Sequence, residues 1–481
     1  MRNFLTKITD ERIKTGLVQA IWDGVLWAIM FGLAENYLVP FALIFGATIF
    51  QISLMQGLAQ IGAGLAQLLG APLILKFRKR KLLTIWCCRF HAFSWLLIFF
   101  ITFWTKSPWS ILLFYVGGLF IANIGGPGWV SWMNDIVPQQ LRGEYWGIRN
   151  KIIGIAQFVF VVIGGVVLHI AEGANHEILA YDILFTIAFA VRFANFIPLS
   201  KQYEPPMSVP AFTNEFKFRI FLTKLATTNF GRFALFSILM TFAVNLLGPI
   251  QPIYLLQALK CNYLQFTILT MIPIITTFIA MTYWGRLGDL YGNYRILFVT
   301  GMAIPLLAIN WTIFTNFSVL MLMQACGGFV FAGFNLATAN FIFDAVRREN
   351  ISKIMAYFNT LNTFCAFLGA LTGGWLVEVM ARYDLSAWRL NKFTFVFAIS
   401  ALLRIVVFSC FIRSFKEVRP VKTSPPLHFF YIYKPAMNVI NQFQMFNDLF
   451  FRIGHFLNYQ SEEDTPEFVY FLEDEQEFKD E

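Results

Sequence analysis

Gly285-Arg286-Leu287-Gly288-Asp289-Leu290-Tyr291-Gly292-Asn293-Tyr294-Arg295 is a short polar stretch between two long apolar ones. Its three glycines permit a tight turn, and an arginine stands near each end. The apolar runs on either side, 263–284 and 295–314, each have about the 20 residues that cross a bilayer. Moving outward from this turn, Lys and Arg collect in every second gap between such runs: Lys76 to Lys81, then Arg142, Arg149 and Lys151, then Lys201 to Lys224, then Arg286 and Arg295, then Arg347, Arg348 and Lys353, then Arg413 to Lys422. The gaps between these hold only Lys106, Lys260 and the trio Arg382, Arg389 and Lys392, and the gap from Ala171 to Tyr181 has none. Basic loops stay on the cytoplasmic side. The alternation therefore predicts an all-α, multi-pass membrane protein with both termini cytoplasmic.

Windows of about 20 apolar residues give twelve spanning helices, at 17–43, 48–75, 82–104, 108–133, 147–171, 178–199, 229–256, 263–284, 295–314, 317–343, 353–380 and 391–412. Composition agrees: 57% of the 481 residues are hydrophobic, 14% are charged, and the mean hydropathy is +0.61. A soluble surface needs roughly a quarter charged residues. The net charge of +9 sits mostly in the basic loops, which assigns it to anionic lipid headgroups and not to nucleic acid. The 56 Phe read as packing and lipid-facing surface. The N-terminus, MRNFLTKITDERIKTG, lacks the short apolar region and cleavage site of a signal peptide, so the first span is expected to serve as its own insertion signal. Cys87, Cys88, Cys261, Cys326, Cys365 and Cys410 lack metal-ligand spacing, and the five His are dispersed, so no metal or cofactor is expected. No phosphate-cradling loop and no H-E-x-x-H appear, which disfavours an enzyme.

The spans divide six and six around a Pro-bearing linker. The expected organisation is 1–199 as a first six-helix half, 200–224 as a cytoplasmic linker, 225–413 as a second half and 414–481 as a tail. Three features repeat at one offset of 209 (344 − 135, 373 − 164, 249 − 40): Asp135 with Asp344, Gly164–Gly165 with Gly373–Gly374, and Pro40 with Pro249. Two parallel six-helix repeats with a site between them are one way to build a transporter. In the tail, apolar residues from Val439 to Leu457 recur at three- and four-residue intervals with polar residues between, the pattern of an interfacial amphipathic helix. The acidic end, 461–481, reads as disordered.

The opening stretch closely resembles the loop signature of the major facilitator superfamily, G-x-L-x-D-x-x-G-x-x-R, and it lies where the second half should carry it. Gly285, Asp289, Gly292 and Arg295 match. The equivalent first-half loop, from Gly70 to Arg80, departs from the signature: Ile74 stands for the acid and Phe77 for the second glycine, and only the basic cluster remains. A second match is Asp135 followed by Pro138, Arg142 and Gly143, then Arg149. Asp135 can pair with Arg142, with Arg149 or with Arg78–Arg80 in one conformation only. By the repeat, Asp344 is the expected partner of Arg295, and the start of the eleventh helix is the expected target of Asp289. The resemblance covers the twelve-helix region and implies gating roles for these loops.

Ionisable residues at membrane depth usually face a cavity or a partner. Asp23 and Glu35, both in the first span, are candidates for proton coupling or substrate binding. Gln56 and Gln60, Asn245, Asn335, Asn359 and Asn362 are candidate substrate contacts or, equally, interhelical hydrogen bonds. Arg89, His91, Arg192 and Arg404 lie in helices that are peripheral in the family and read as snorkelling groups. The resemblance implies a monomeric secondary transporter of a small organic solute in the plasma (inner) membrane, working by alternating access. The coupling ion stays open, a proton among the options. The other readings are a facilitator-like receptor or assembly factor that does not transport, suggested by the aromatic tail, and a membrane-embedded enzyme.

Overall fold

The computed structural model describes residues 4, 6–101, 103–138, 141–206, 218–346, 351–383 and 391–421. The proposed tail helix and the acidic end lie outside the described residues, as does Arg389. Among the described residues, twelve helical spans are long and apolar enough to cross a membrane: α1 Glu11–Ile44, α2 Ile49–Ile74, α3 Arg80–Ile101, α4 Pro108–Ile136, α5 Arg142–Gly173, α6 Glu177–Lys201, α7 Asn229–Ala258, α8 Tyr263–Tyr291, α9 Asn293–Ile313, α10 Phe317–Ala345, α11 Lys353–Met380 and α12 Lys392–Ser414. No strand occurs among the described residues. The expected all-helical fold is what the chain adopts.

Local chemistry sets the breaks and ends of these spans. The regular helix of α1 ends at Leu33, passes through a 3-10 turn at Glu35–Tyr37 and resumes at Leu38–Ile44. In α7 the helix ends at Asn245 and resumes at Ile250–Ile253. Both breaks fall beside the offset-related prolines, Pro40 and Pro249, which lack the N–H that an unbroken helix would need. At its start α2 has a reciprocal cap. Gln51 N donates to Thr48 Oγ1 (3.1 Å) and Thr48 N donates to Gln51 Oε1 (2.9 Å). The start of α8 repeats it with Asn262 and Gln265 (2.8 and 3.2 Å). Each pair satisfies two backbone donors that would otherwise face lipid or headgroups.

Contacts group the chain into two compact units that do not coincide with the sequence halves. One comprises Met1–Asn214, Thr241–Met271 and Asn359–Val396; the other comprises Glu215–Met240, Ile272–Phe358 and Phe397–Glu481. The first unit therefore joins all of α1–α6 to those parts of α7, α8, α11 and α12 that lie away from the basic loops. Its α1 and α5 pack closely enough that a Cβ on Gly32 would sit 2.8 Å from the Val161 backbone nitrogen. In the second unit, α7, α10 and α11 meet in an aromatic cluster. Phe233 stacks on Phe341 at 4.2 Å between centroids, and Phe415, just past α12, packs edge-on against Phe341 at 5.6 Å.

Candidate functional site

At the ends remote from the basic loops, two contacts in the first unit repeat each other. A Cβ built on Gly374 of α11 would overlap both Oγ and Cβ of Ser53 on α2. A Cβ on Gly165 of α5 would overlap Thr267 Oγ1 on α8, with Thr267 Cβ at 2.9 Å and Tyr37 Oη at 2.8 Å. The hydroxyls thus occupy space that only glycine leaves free. Ser53 and Thr267 stand five residues after Thr48 and Asn262, the first members of the two reciprocal caps. Thr48-x-x-Gln51-x-Ser53 and Asn262-x-x-Gln265-x-Thr267 therefore form a repeat of their own, at an offset of 214 (267 − 53). Tyr37 Oη reinforces one contact, donating to Val161 O (2.5 Å) and pairing with Thr267 Oγ1 (2.8 Å). Glu378 reinforces the other by accepting from Phe50 N, in the first turn of α2 (3.0 Å), where a carboxylate also meets the positive end of the helix dipole.

Deeper in the same unit lie the candidate amides. Gln60 Nε2 donates to Asn245 Oδ1 (3.5 Å), and Asn245 Nδ2 donates to Thr241 O (2.9 Å). Asn362 Oδ1 is buried without a hydrogen-bond partner, whereas Asn359 is exposed and Gln56 half-buried. Asn335 is exposed on α10, in the other unit. Of the amide set, the structure brings Gln60 and Asn245 together.

Asp23 and Glu35 belong to a polar network inside α1–α6. Asp23, 8% exposed, accepts from Asn195 Nδ2 (2.9 Å), and Arg149 Nη2 lies 4.0 Å from its other oxygen. Arg149 donates to Ala20 O (3.3 Å) and lies over the rings of Trp129 (4.6 Å) and Trp146 (5.5 Å). Glu35 accepts from Tyr115 Oη (3.3 Å). His91 (2% exposed), Arg192 (7%) and Arg404 (3%) are buried and do not snorkel: Arg192 Nε donates to His91 Nδ1 (3.2 Å), and Arg404 donates to Ile304 O (3.2 Å). Arg89, read the same way, lies over Phe196 at 4.5 Å. Sequence reasoning set these residues aside because their helices were placed at the periphery; the α3–α6 packing that buries the first pair carries no signature in a single chain.

At the basic-loop ends each unit closes on itself in the same way. In the first, Arg80 donates to Asp135 Oδ2 (2.5 Å) and Ser131 Oγ (3.0 Å), and Glu204, just past α6, accepts from the Lys81 backbone N–H (3.2 Å). Asp135 therefore chooses Arg80 over Arg142, which donates to Asn134 O (2.9 Å), and over Arg149. In the second, Asn293 donates to Asp344 Oδ2 (2.7 Å), and Glu417, just past α12, accepts from the Tyr294 backbone N–H (2.8 Å). Glu204 and Glu417 stand to Lys81 and Tyr294 at the same offset of 213 (417 − 204, 294 − 81), and each is followed within three residues by proline. That pattern was the legible signal for two residues the sequence reading missed.

The expected pairing of Arg295 with Asp344 does not form. Arg419, beyond α12, takes that place, 4.0 Å from Asp344 and 3.7 Å from Asp289. It also donates to Gly288 O (2.5 Å), while the charge of Arg295 acts on Glu417. Gly292 is at φ +86°, and a side chain there would collide with Glu417, so the turn needs glycine on both counts. Gly285 comes within 3.8 Å of Leu336 by its would-be Cβ, an ordinary contact. Burial pushes the Glu417 carboxyl above the usual carboxylate range, against the pull of three backbone N–H groups. An acid whose folded value is raised favours folding while protonated and loses that contribution as pH rises through the folded value. Glu417→Gln should therefore flatten the fall in thermal stability above mildly acidic pH, measured by Tm against pH. An unchanged slope would count against Glu417 as the titrating group.

Twelve spans, internally repeated caps and closures, and amides and carboxyls gathered at membrane depth define a multi-pass helical transporter fold. Residues 233–438 match the sequence profile of the Major Facilitator Superfamily. The same fold occurs in the nucleoside transporter NupG (14% identity, TM-score 0.63, covering 85% of this chain and 100% of that one). It also occurs in a bacterial homologue of the human lysosomal transporter Spinster in an inward-facing, unoccupied conformation (13%, 0.62, 85% and 98%) and in a D-xylose–proton symporter (15%, 0.61, 85% and 99%). No curated protein sequence matches the chain. The profile match to the second part of the chain and the shared fold agree with the resemblance to the Major Facilitator Superfamily that the loop residues carry.

Proposed function

We propose that this protein is a monomeric secondary transporter that carries a small, neutral or weakly charged organic solute by alternating access, with a proton as the coupling ion. The paired hydroxyl-into-glycine contacts carry the reading. They join helices of the first six to helices of the second six through two surfaces related by the internal repeat, and two matched, separable contacts are what a rocking motion about a central site requires. The Gln60–Asn245 pair supplies neutral donors and acceptors suited to hydroxyl or amide groups on the solute. Asp23 and Glu35 are the proton-accepting candidates, and Asp289, Asp344 and Arg419 hold the loop at the basic, cytoplasmic end.

The direct test is counterflow in proteoliposomes with radiolabelled uridine and xylose opening a panel of neutral solutes. Exchange of a panel member supports the reading, and a purified, folded protein that exchanges none and binds none in thermal-shift assays supports the receptor alternative. Topology is checked separately by labelling in intact cells of the plasma (inner) membrane. Cys261 and a cysteine at Lys106 should react from outside, and cysteines at Arg142 and Arg295 only after permeabilisation. Cys261 and Arg142 reacting from the same side would overturn the topology.

A further inference from the structure

Arg89 is a guanidinium on the lipid-facing side of the first unit with no acceptor for its hydrogens. Along α3, Leu82, Trp86, Phe90, Phe93 and Leu97 are all exposed, and their spacing of four, four, three and four residues puts them on one face. A stripe this apolar along a whole spanning helix is the face it turns to the bilayer. Arg89 stands at the edge of that stripe beside α6. It lies over three rings, Trp86 (5.4 Å), Phe193 (5.7 Å) and Phe196 (4.5 Å). Phe93 closes the groove one turn deeper, 5.8 Å from Phe193 between centroids. Ring faces attract a cation, but they do not neutralise it, and as hydrogen-bond acceptors they are weak. Arg89 Nε is buried without a partner, and among the described residues no hydrogen bond and no carboxylate within 4 Å serves the rest of the guanidinium.

The surroundings carry charge of one sign. α3 has no acidic residue and α6 has none after Asp182, while the two helices contribute Arg80, Lys81, Arg89, Arg192 and Lys201. Arg80 is paired with Asp135, and Glu204 lies between Arg80 Nε (3.8 Å) and the Lys81 backbone N–H (3.2 Å). Arg192 is buried and turns to His91, and Lys81 Nζ donates to the carbonyls of Ser200 and Gln202. Arg89 and the exposed Lys201 are left with no anion among the described residues. A helical side chain leans toward its own N-terminus, which for α3 is the basic-loop end. This brings the guanidinium over Trp86, six residues or about 9 Å from the start of α3, within snorkelling reach of lipid headgroups.

We propose that the groove between α3 and α6 binds a phospholipid of net negative charge from the leaflet on the basic-loop side. Its phosphate is held by the two Nη groups of Arg89, its headgroup lies toward Lys201, and an acyl chain runs along Phe93 and the apolar stripe. The guanidinium fork matches two phosphate oxygens. A net negative headgroup supplies the missing anion, which a zwitterionic one, carrying its own ammonium, does not. The inference needs a membrane location alone and stands whether or not the protein transports.

Native mass spectrometry of the purified full-length chain, delipidated and titrated with phosphatidylglycerol or phosphatidylcholine, reads the site. One phosphatidylglycerol should bind about tenfold or more tighter than phosphatidylcholine, the scale of one charge-assisted contact. Arg89→Gln should erase that preference while leaving phosphatidylcholine binding as in the wild type. Lys79→Gln, which removes the same charge from an exposed position just before α3, should leave the preference intact. Equal binding of the two lipids by the wild type, an unchanged preference in Arg89→Gln, or an equal loss in Lys79→Gln would overturn the proposal. Inorganic phosphate should not displace the lipid; displacement would mean a site for free phosphate and overturn the lipid assignment. If Arg89→Gln does not fold, phosphatidylglycerol with a photoreactive acyl chain decides on the wild type. Its crosslinks should concentrate on α3 around Phe90 and Phe93 and on α6 around Ile197, and crosslinks spread evenly over the twelve spans would overturn the proposal equally.

Discussion

Gly374→Ala should strongly increase the reactivity of cysteines at the end of the protein remote from the basic loops. The added methyl would overlap Ser53 Cβ as well as its hydroxyl, so no rotation of the serine side chain can relieve it, and Ser53 is wholly buried. α2 and α11 must move apart. Overpacking of this kind costs about 1–3 kcal/mol, and all of it falls on the conformation in which the two helices touch. At roughly 1.4 kcal/mol per decade, the equilibrium then shifts by a factor of about 5 to 150 toward the conformation that is open on that side. Gly165→Ala should act in the same direction through Thr267. The decisive measurement is rescue: Ser53→Gly in the Gly374→Ala background vacates the space and should restore wild-type labelling, whereas Thr267→Gly should leave Gly374→Ala unchanged and relieve Gly165→Ala only in part, because Tyr37 Oη stays 2.8 Å from the added carbon. Equal labelling in the wild type and both alanine variants would mean that these contacts do not take part in the transport cycle.

Asp23→Asn should abolish uphill accumulation while sparing counterflow. The amide keeps the shape of the carboxyl and can still accept from Asn195, so the local packing of α1 on α6 survives. What it loses is the ability to carry a proton and the negative charge 4.0 Å from Arg149. Counterflow needs no net proton movement, so its rate should stay close to wild type, whereas the steady-state accumulation ratio should fall to one. Accumulation at the wild-type level would remove Asp23 from the coupling role and leave Glu35 as the candidate.

Much of the fold was legible because membrane insertion imposes coarse rules that one sequence reveals. Apolar length located the twelve spans found among the described residues. The paired prolines Pro40 and Pro249, read in the sequence only as a sign of the repeat, lie beside the breaks of α1 and α7. The second-half loop was readable too, because Gly292 is demanded by backbone geometry as well as by the approach of Glu417. The partners of the charged groups were not readable. Arg419 and Arg295 carry the same side chain; which one reaches Asp344 depends on how the chain turns after α12. The burial of Arg192 and His91 escaped for the same reason, since hydropathy reports that a helix enters the membrane and not which face it turns inward. The repeated Thr48/Asn262 and Glu204/Glu417 patterns were present in the letters throughout. They hid because their offsets, 214 and 213, differ from the 209 that aligned the other features, a difference that insertions between helices produce without disturbing the packing.

The capping glutamates also bear on how the protein is made. The ribosome releases a chain from its first residue onward, so α3 gains its Glu204 cap almost as soon as α6 is complete, long before α8 exists. The second cap comes from Glu417, and the arginine that bridges Asp289 and Asp344 comes two residues later. A stop codon just after Ser414 would yield a polypeptide with every spanning helix and no closure of its second bundle, whereas one just after Val421 would retain the cap and the bridge. Quality-control proteases should therefore distinguish two truncations that differ by seven residues, Phe415 to Val421, and not at all in their spanning helices, and a pulse-chase comparison of their half-lives would show it.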